Sequence, residues 1–149
     1  MKIIWKDNDF TLFILNKYDD LNLKKYIKDV LVKIKKRFAR KISGFYNVTV
    51  YKNDVVGLIL DFEKDDNYDF FSDIVDLSIS ISKNNEMYLE FDNPHLIDRK
   101  YLVYYINDKY YLNVSDLTLF EFLKFIEFSE IKYGDNFTII DKNMRLVNL

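Results

Sequence analysis

The chain has 149 residues, 17% of them aromatic, with 3 Gly, 1 Pro, 1 His, no Cys and a formal net charge of -2. Without cysteine there is no disulfide framework, thiol nucleophile, iron–sulfur cluster or Cys-ligated zinc, and a lone His95 excludes the H-E-x-x-H zinc helix. Gly44, Gly57 and Gly134 lie too far apart for either glycine-rich phosphate loop.

A hydrophobic share of 49% beside 31% charged residues is that of a globular chain and argues against disorder. Lysine outnumbers arginine 18 to 4 and Ala39 is the only alanine, a skew that accompanies AT-rich coding and accounts for part of the aromatic excess. The N-terminus turns charged at Lys2, Lys6 and Asp7, too early for a signal peptide, and no apolar run approaches the ~20 residues of a membrane span. A cytoplasmic location with no membrane span is the expectation.

In chain order, Ile3 to Trp5 and Phe10 to Leu15 flank Lys6-Asp7-Asn8-Asp9 and read as a β-hairpin. A helix follows, opened by Asp19-Asp20 or Asn22, with Leu23, Ile27, Val30, Leu31, Ile34 and Phe38 at steps of three and four. Ser43-Gly44 is expected to close it as a C-cap. Tyr46 to Tyr51 and Val55 to Phe62 form a second hairpin around Asn53-Asp54, and the doubly apolar run Val55 to Leu60 fits a central strand. Val75, Leu77, Ile79 and Ile81 alternate with polar residues as a half-buried strand does, and Asn84-Asn85 is expected to turn it into Met87 to Phe91. Tyr101 to Ile106 and Lys109 to Val114 flank Asn107-Asp108 as another hairpin. Thr118-Leu119-Phe120-Glu121 then supplies a capping box for a short helix ending near Phe128. With no Pro/Gly/Ser-rich linker, the chain reads as a single domain spanning residues 1–149. Its expected fold is α+β: a mostly antiparallel sheet of successive hairpins, one long basic amphipathic helix and one short apolar helix. Residues 5–10 and 105–110 are both hairpin tips ahead of a helix; shared turn chemistry accounts for that echo.

Charge is segregated. Lys24, Lys25, Lys28, Lys33, Lys35, Lys36, Arg37, Arg40 and Lys41 stand against Asp29 alone, a net +8 in the first helix segment. Lys25, Lys28, Lys35, Lys36 and Arg40 spread over the arc opposite the apolar stripe. Such a stripe is a solvated face, a site for an acidic protein, a face that lies on an anionic membrane surface, or a phosphate-binding surface by counterion release. The pI of 5.4 falls short of the basic domain typical of nucleic-acid binders. The acidic counterpart runs from Asp54 to Asp76. Asp61, Glu63, Asp65, Asn67 and Asp69 fall at every second position, like the first EF-hand ligands, but Asp66 stands where that loop needs glycine and Ser72 where it needs glutamate. Acidic alternation on a strand is the simpler account.

No catalytic constellation emerges, and neither cofactor nor metal is expected. A carboxylate-based enzyme remains a possible class, because paired acids are recognised only in space. Two apolar surfaces complete the candidates. Around a two-residue turn, Tyr105 pairs with Tyr110 and Tyr104 with Tyr111; with Val103 and Leu112 in the core, Tyr104 and Tyr111 share the opposite face, either as an exposed pair or packed beneath another element. In the last helix, Leu119, Phe120, Phe122, Leu123, Phe125, Ile126 and Phe128 are broken only by Glu121, Lys124 and Glu127, so the helix is either wedged into the domain or docked on a partner, through residues such as Phe120 and Phe125. The stretch Tyr101 to Gly134, with Tyr110-Tyr111-Leu112 and Tyr133-Gly134, resembles in part the C-terminal domain of MecA-type adaptors, which deliver substrates to a Clp unfoldase. The resemblance covers under a quarter of the chain and carries no functional residue with it. These features point to a non-enzymatic protein-interaction or regulatory domain, binding itself or another protein. Nucleic-acid binding by the basic helix over residues 24–41 is the first alternative and a carboxylate enzyme the second.

Overall fold

In the computed structural model, residues 2–15, 22–38, 41–67, 75–83, 86–134 and 145–147 are described. They form ten strands and two α-helices in two mostly antiparallel sheets, an α+β fold. The chain divides into two compact units, Met1–Val50 with Gly57–Ile81, and Tyr51–Val56 with Ser82–Leu149.

The first unit begins with β1 (Lys2–Lys6) and β2 (Asp9–Ile14), antiparallel with Lys6 opposite Asp9, so that Asp7-Asn8 is the two-residue turn. Asp7 takes a left-handed φ of 52°, which Asp tolerates well. The helix α1 (Leu23–Phe38) is capped by Asn22, whose Oδ1 accepts from the Lys25 N–H at 3.3 Å. The alternative opening at Asp19-Asp20 lies outside the described residues. Its apolar stripe buries Ile27, Val30, Leu31 and Ile34 in a core shared with Phe10, Leu12, Val48, Leu60, Phe62 and Leu77. Phe10 stacks on Phe62 with centroids 4.3 Å apart, and Tyr46 meets both rings edge-on.

Gly44 does not cap α1. The described helix runs to Phe38, residues 41–43 are not helical, and Gly44 instead opens β3 (Gly44–Asn53) with φ +103°, where a Cβ would stand 3.2 Å from the Lys64 side chain. Strand β4 (Gly57–Asp65) is central, in the order β1-β2-β4-β3-β5, as the apolar run predicts. Its first two expected residues are not strand: Asn53 Oδ1 accepts the N–H groups of Val55 and Val56 at 2.9 and 3.1 Å and folds them into the turn. The largest departure is β5 (Val75–Ile81). It runs parallel to β3, Tyr46 opposite Leu77, at the edge of this sheet, and forms no hairpin with the strand that follows it.

The second unit holds β6 (Met87–Phe91), β7 (Val103–Ile106), β8 (Lys109–Asn113), α2 (Leu119–Phe125), β9 (Glu130–Tyr133) and β10 (Arg145–Val147), in the order β10-β7-β8-β6-β9. The β7–β8 hairpin has the expected register, Tyr104 opposite Tyr111 and Tyr105 opposite Tyr110, around Asn107-Asp108 with φ of 49° and 61°. Strands β9 and β10 are not foreseen by the sequence reading. They are short and carry charged residues, so period-2 alternation is hard to see in them.

Candidate protein-docking site

The local sequence builds α2 as expected at its start. Thr118 Oγ1 accepts from the Glu121 N–H at 3.2 Å and Glu121 Oε2 accepts from the Thr118 N–H at 2.9 Å, a complete capping box. It ends three residues earlier than predicted. The Phe125 carbonyl accepts from Ser129 Oγ at 2.7 Å and from the Phe128 N–H at 3.2 Å, so the last turn is closed off.

This helix is apolar around most of its circumference, but only one side is covered. Phe122 and Phe125, three apart, are buried, while Phe120 is 78% exposed and Leu119 and Leu123 are more than a third exposed. Phe125 meets Phe91 of β6, Tyr101 and Phe128 edge-on at 5.6 to 5.8 Å. The rings of Tyr101, Phe125 and Phe128 form the floor of an open groove of about 310 Å³, with Phe120 and Leu96 on its walls.

The loop before β7 supplies the groove's charged rim. Asp98 organises a turn, its side chain accepting from the Lys100 N–H and its carbonyl from the Tyr101 N–H. Lys100 and Tyr101 then converge on Glu121. Tyr101 Oη donates to Glu121 Oε1 at 2.6 Å and Lys100 Nζ donates to the same oxygen at 3.1 Å. Lys100 Nζ also sits 4.8 Å from the centre of the Tyr101 ring. The Tyr101 hydrogen bond, then the Thr118 N–H and Lys100, pull the Glu121 carboxyl down to about 2. Burial, then the hydrogen bond to Glu121, pushes the Tyr101 phenol up. A carboxylate held so firmly ionised at neutral pH is a fixed rim element; a general acid needs the opposite shift. Asp98 and Lys124 complete a rim of balanced charge around an aromatic floor.

The residues singled out from the sequence are dispersed over both units. Lys25, Lys28 and Lys36 are exposed on α1 and Lys35 is half-buried, while Arg40 lies outside the described residues. Tyr104 is half-buried. Tyr111, a candidate contact residue read as either exposed or packed beneath another element, is buried: its phenol donates to Glu90 Oε2 at 2.7 Å, and Tyr88 packs with it. The reason is β6, which pairs with β8 on the side away from β7 and sets Glu90 opposite Tyr111, a neighbour that hairpin logic cannot supply. Burial, then Glu90, raises the Tyr111 phenol. Phe125, a candidate partner contact if the helix were docked and not wedged, is part of the groove floor and is itself 6% exposed. Phe120 alone of the aromatic candidates projects fully.

Sequence reasoning missed Leu96, Lys100 and Tyr101. The only available signal was the Glu121 carboxylate, which its capping role leaves with a free oxygen. Within the acidic run, Asp61 accepts from Thr11 Oγ1 at 2.6 Å, Asp65 from the Asn67 N–H at 3.0 Å and Asp76 from the Leu77 N–H at 2.9 Å. Asp69 and Asp73 lie outside the described residues. Among the described residues no three His, Asp or Glu gather as a metal site, and no helix is long and apolar enough to cross a membrane.

No family model, curated protein or solved structure matches the chain. The partial resemblance of Tyr101 to Gly134 to MecA-type adaptors therefore stands on its own few residues.

Proposed function

We propose that this is a non-enzymatic, protein-binding domain that docks a partner through Phe120 and the groove beside it. The observation that carries the reading is the 78% exposure of Phe120, next to a groove whose floor is aromatic. Large aromatic side chains left in water beside a concave apolar floor are what protein interfaces use as anchors. Asp98 and Glu121 balance Lys100 and Lys124, so the rim selects by shape and hydrogen bonding more than by net charge. The partner this favours presents an apolar side chain to the groove and receives Phe120 in return. Because knob and groove adjoin on one face, a second copy of the chain meets that description through a two-fold contact.

The test compares wild type with Phe120→Glu and, as a charge control in the first unit, Lys36→Glu. Sedimentation reads self-association and affinity capture from native lysate reads other partners, with circular dichroism confirming that both variants are folded. The expected result is a dimer or a captured protein that Phe120→Glu loses and Lys36→Glu keeps. A strictly monomeric wild type that captures nothing sensitive to Phe120→Glu would overturn the reading.

A further inference from the structure

Each sheet has two edges, and three of the four are guarded. Edge strand β1 carries Lys2 and Lys6 at its ends, β9 has only four residues, with Lys132 bridging Glu130 at 3.2 Å, and β10 has three. Short length and charge, lysine above all, are the usual ways of preventing an edge from pairing with another chain. Edge strand β5 has neither protection. It is seven residues long, Val75-Asp76-Leu77-Ser78-Ile79-Ser80-Ile81, with no lysine, arginine or proline and one charge. Its inner edge is paired in parallel with β3, and among the described residues no strand pairs with the outer one.

What lies above that edge identifies its occupant. Leu77 is part of the core under α1, with Val75 and Ile79 packed against it, so the odd-numbered row of β5 faces the helix; Ile81 continues the row and is 56% exposed. Between α1 and Val75 is a notch of about 220 Å³ floored by Leu31 and Val32 and flanked by Lys28 and Lys35, two helical turns apart. Val32 is 51% exposed there, within a helix whose charged residues, Asp29 apart, are all cationic. A strand added about 4.8 Å beyond β5 would direct every second side chain into this notch.

We propose that the β5 edge is a peptide-binding site that takes an extended segment of a partner protein as a sixth strand, its helix-facing side chains alternating between apolar and acidic. Main-chain hydrogen bonds supply affinity, Val32 and Leu31 receive the apolar residues, and Lys28 and Lys35 select the acidic ones. A second copy of the chain pairing β5 with β5 fits poorly, because it would bring two basic helices together on one face of a joined sheet. A nucleic acid has no use for the apolar notch or the unpaired backbone, and its phosphates would meet Val32 and Asp29 in the middle of the stripe. This site lies in the first unit and is independent of the Phe120 groove.

The experiment selects a random-peptide phage library on the immobilised full chain and measures enriched peptides by fluorescence anisotropy. Enrichment of alternating apolar and acidic residues is expected, with affinity falling at least about tenfold in the Lys28→Glu/Lys35→Glu double variant and unchanged in Phe120→Glu. Two N-methylated forms of the best peptide test strand addition. Methyl groups on one alternate set of amides should abolish binding, and on the other set should spare it, because only one set faces β5. Several outcomes overturn the proposal: no enrichment, enriched peptides indifferent to the lysine reversals, equal tolerance or equal loss in both methylated frames, or a thymidine oligonucleotide that binds α1 more tightly than any enriched peptide.

Discussion

The two helices of this chain use their surfaces in opposite ways. In α1 the apolar stripe buries Ile27, Val30, Leu31 and Ile34, and apart from Val32 and Phe38 most of what remains exposed is cationic. In α2 the buried share is Phe122 and Phe125, and what remains includes Phe120 and Leu123. A charged residue turned to water is the ordinary state of a helix and says little about function. An exposed phenylalanine beside an open groove departs from that state, and so the strongest functional signal is on the shorter helix. The same contrast applies at the sheet edges, where unguarded β5 stands out against β1 and β9.

The sharpest way to break this comparison is to truncate both kinds of phenylalanine on α2. Phe122→Ala should destabilise the protein by about 3–5 kcal/mol in urea unfolding, as should a buried deletion on α1 such as Ile34→Ala at about 2–5 kcal/mol. Phe120→Ala should stay within about 0.5 kcal/mol of wild type, since almost nothing native covers it. A cost for Phe120→Ala near that of Phe122→Ala would show that Phe120 belongs to the fold and not to an interface.

A smaller effect is expected at the helix start. Thr118→Ala removes the acceptor for the Glu121 N–H and should cost about 1 kcal/mol in the same assay. Because the box also aims Glu121 at Tyr101 and Lys100, it should weaken binding at the groove along with stability.

The smallest effect is a pH dependence. Glu121 is depressed to about 2 from an ordinary value of 4.5, so its contribution is fully present above 4.5 and is lost as pH falls toward 2. The difference in thermal midpoint between wild type and Glu121→Gln should therefore be constant from neutral pH down to about 5 and shrink below that. A difference that does not change with pH would mean that the Tyr101 and Lys100 contacts do not depend on the carboxylate charge.

Much of this was legible because the relevant partners are close in sequence. Two-residue turns at Asp7-Asn8 and Asn107-Asp108 set their hairpin registers, and the steps from Leu23 to Phe38 placed the buried side of α1. The groove was not legible for the opposite reason. Glu121 and Tyr101 are twenty residues apart, Leu96 ends a single 3₁₀ turn (Pro94–Leu96) too short to show a period, and nothing near Phe120 and Phe125 distinguishes which of the two points outward. The Tyr104 and Tyr111 pairing was correct in register and incomplete in environment, because the strand that buries Tyr111 is β6, more than twenty residues before it.

Short-range sequence was enough to set the α+β class, the β1–β2, β3–β4 and β7–β8 hairpins, the capping box and the basic face of α1, all of which depend on backbone preferences and side-chain periods acting over a few residues. Only the tertiary structure decided that β5 runs parallel beside β3, that Gly44 starts a strand, that Phe125 is floor and Phe120 is knob, and that Lys100 and Tyr101 hold Glu121. Those outcomes depend on which distant surfaces cover one another, and burial of apolar area is a non-directional force whose best arrangement is a property of the whole chain.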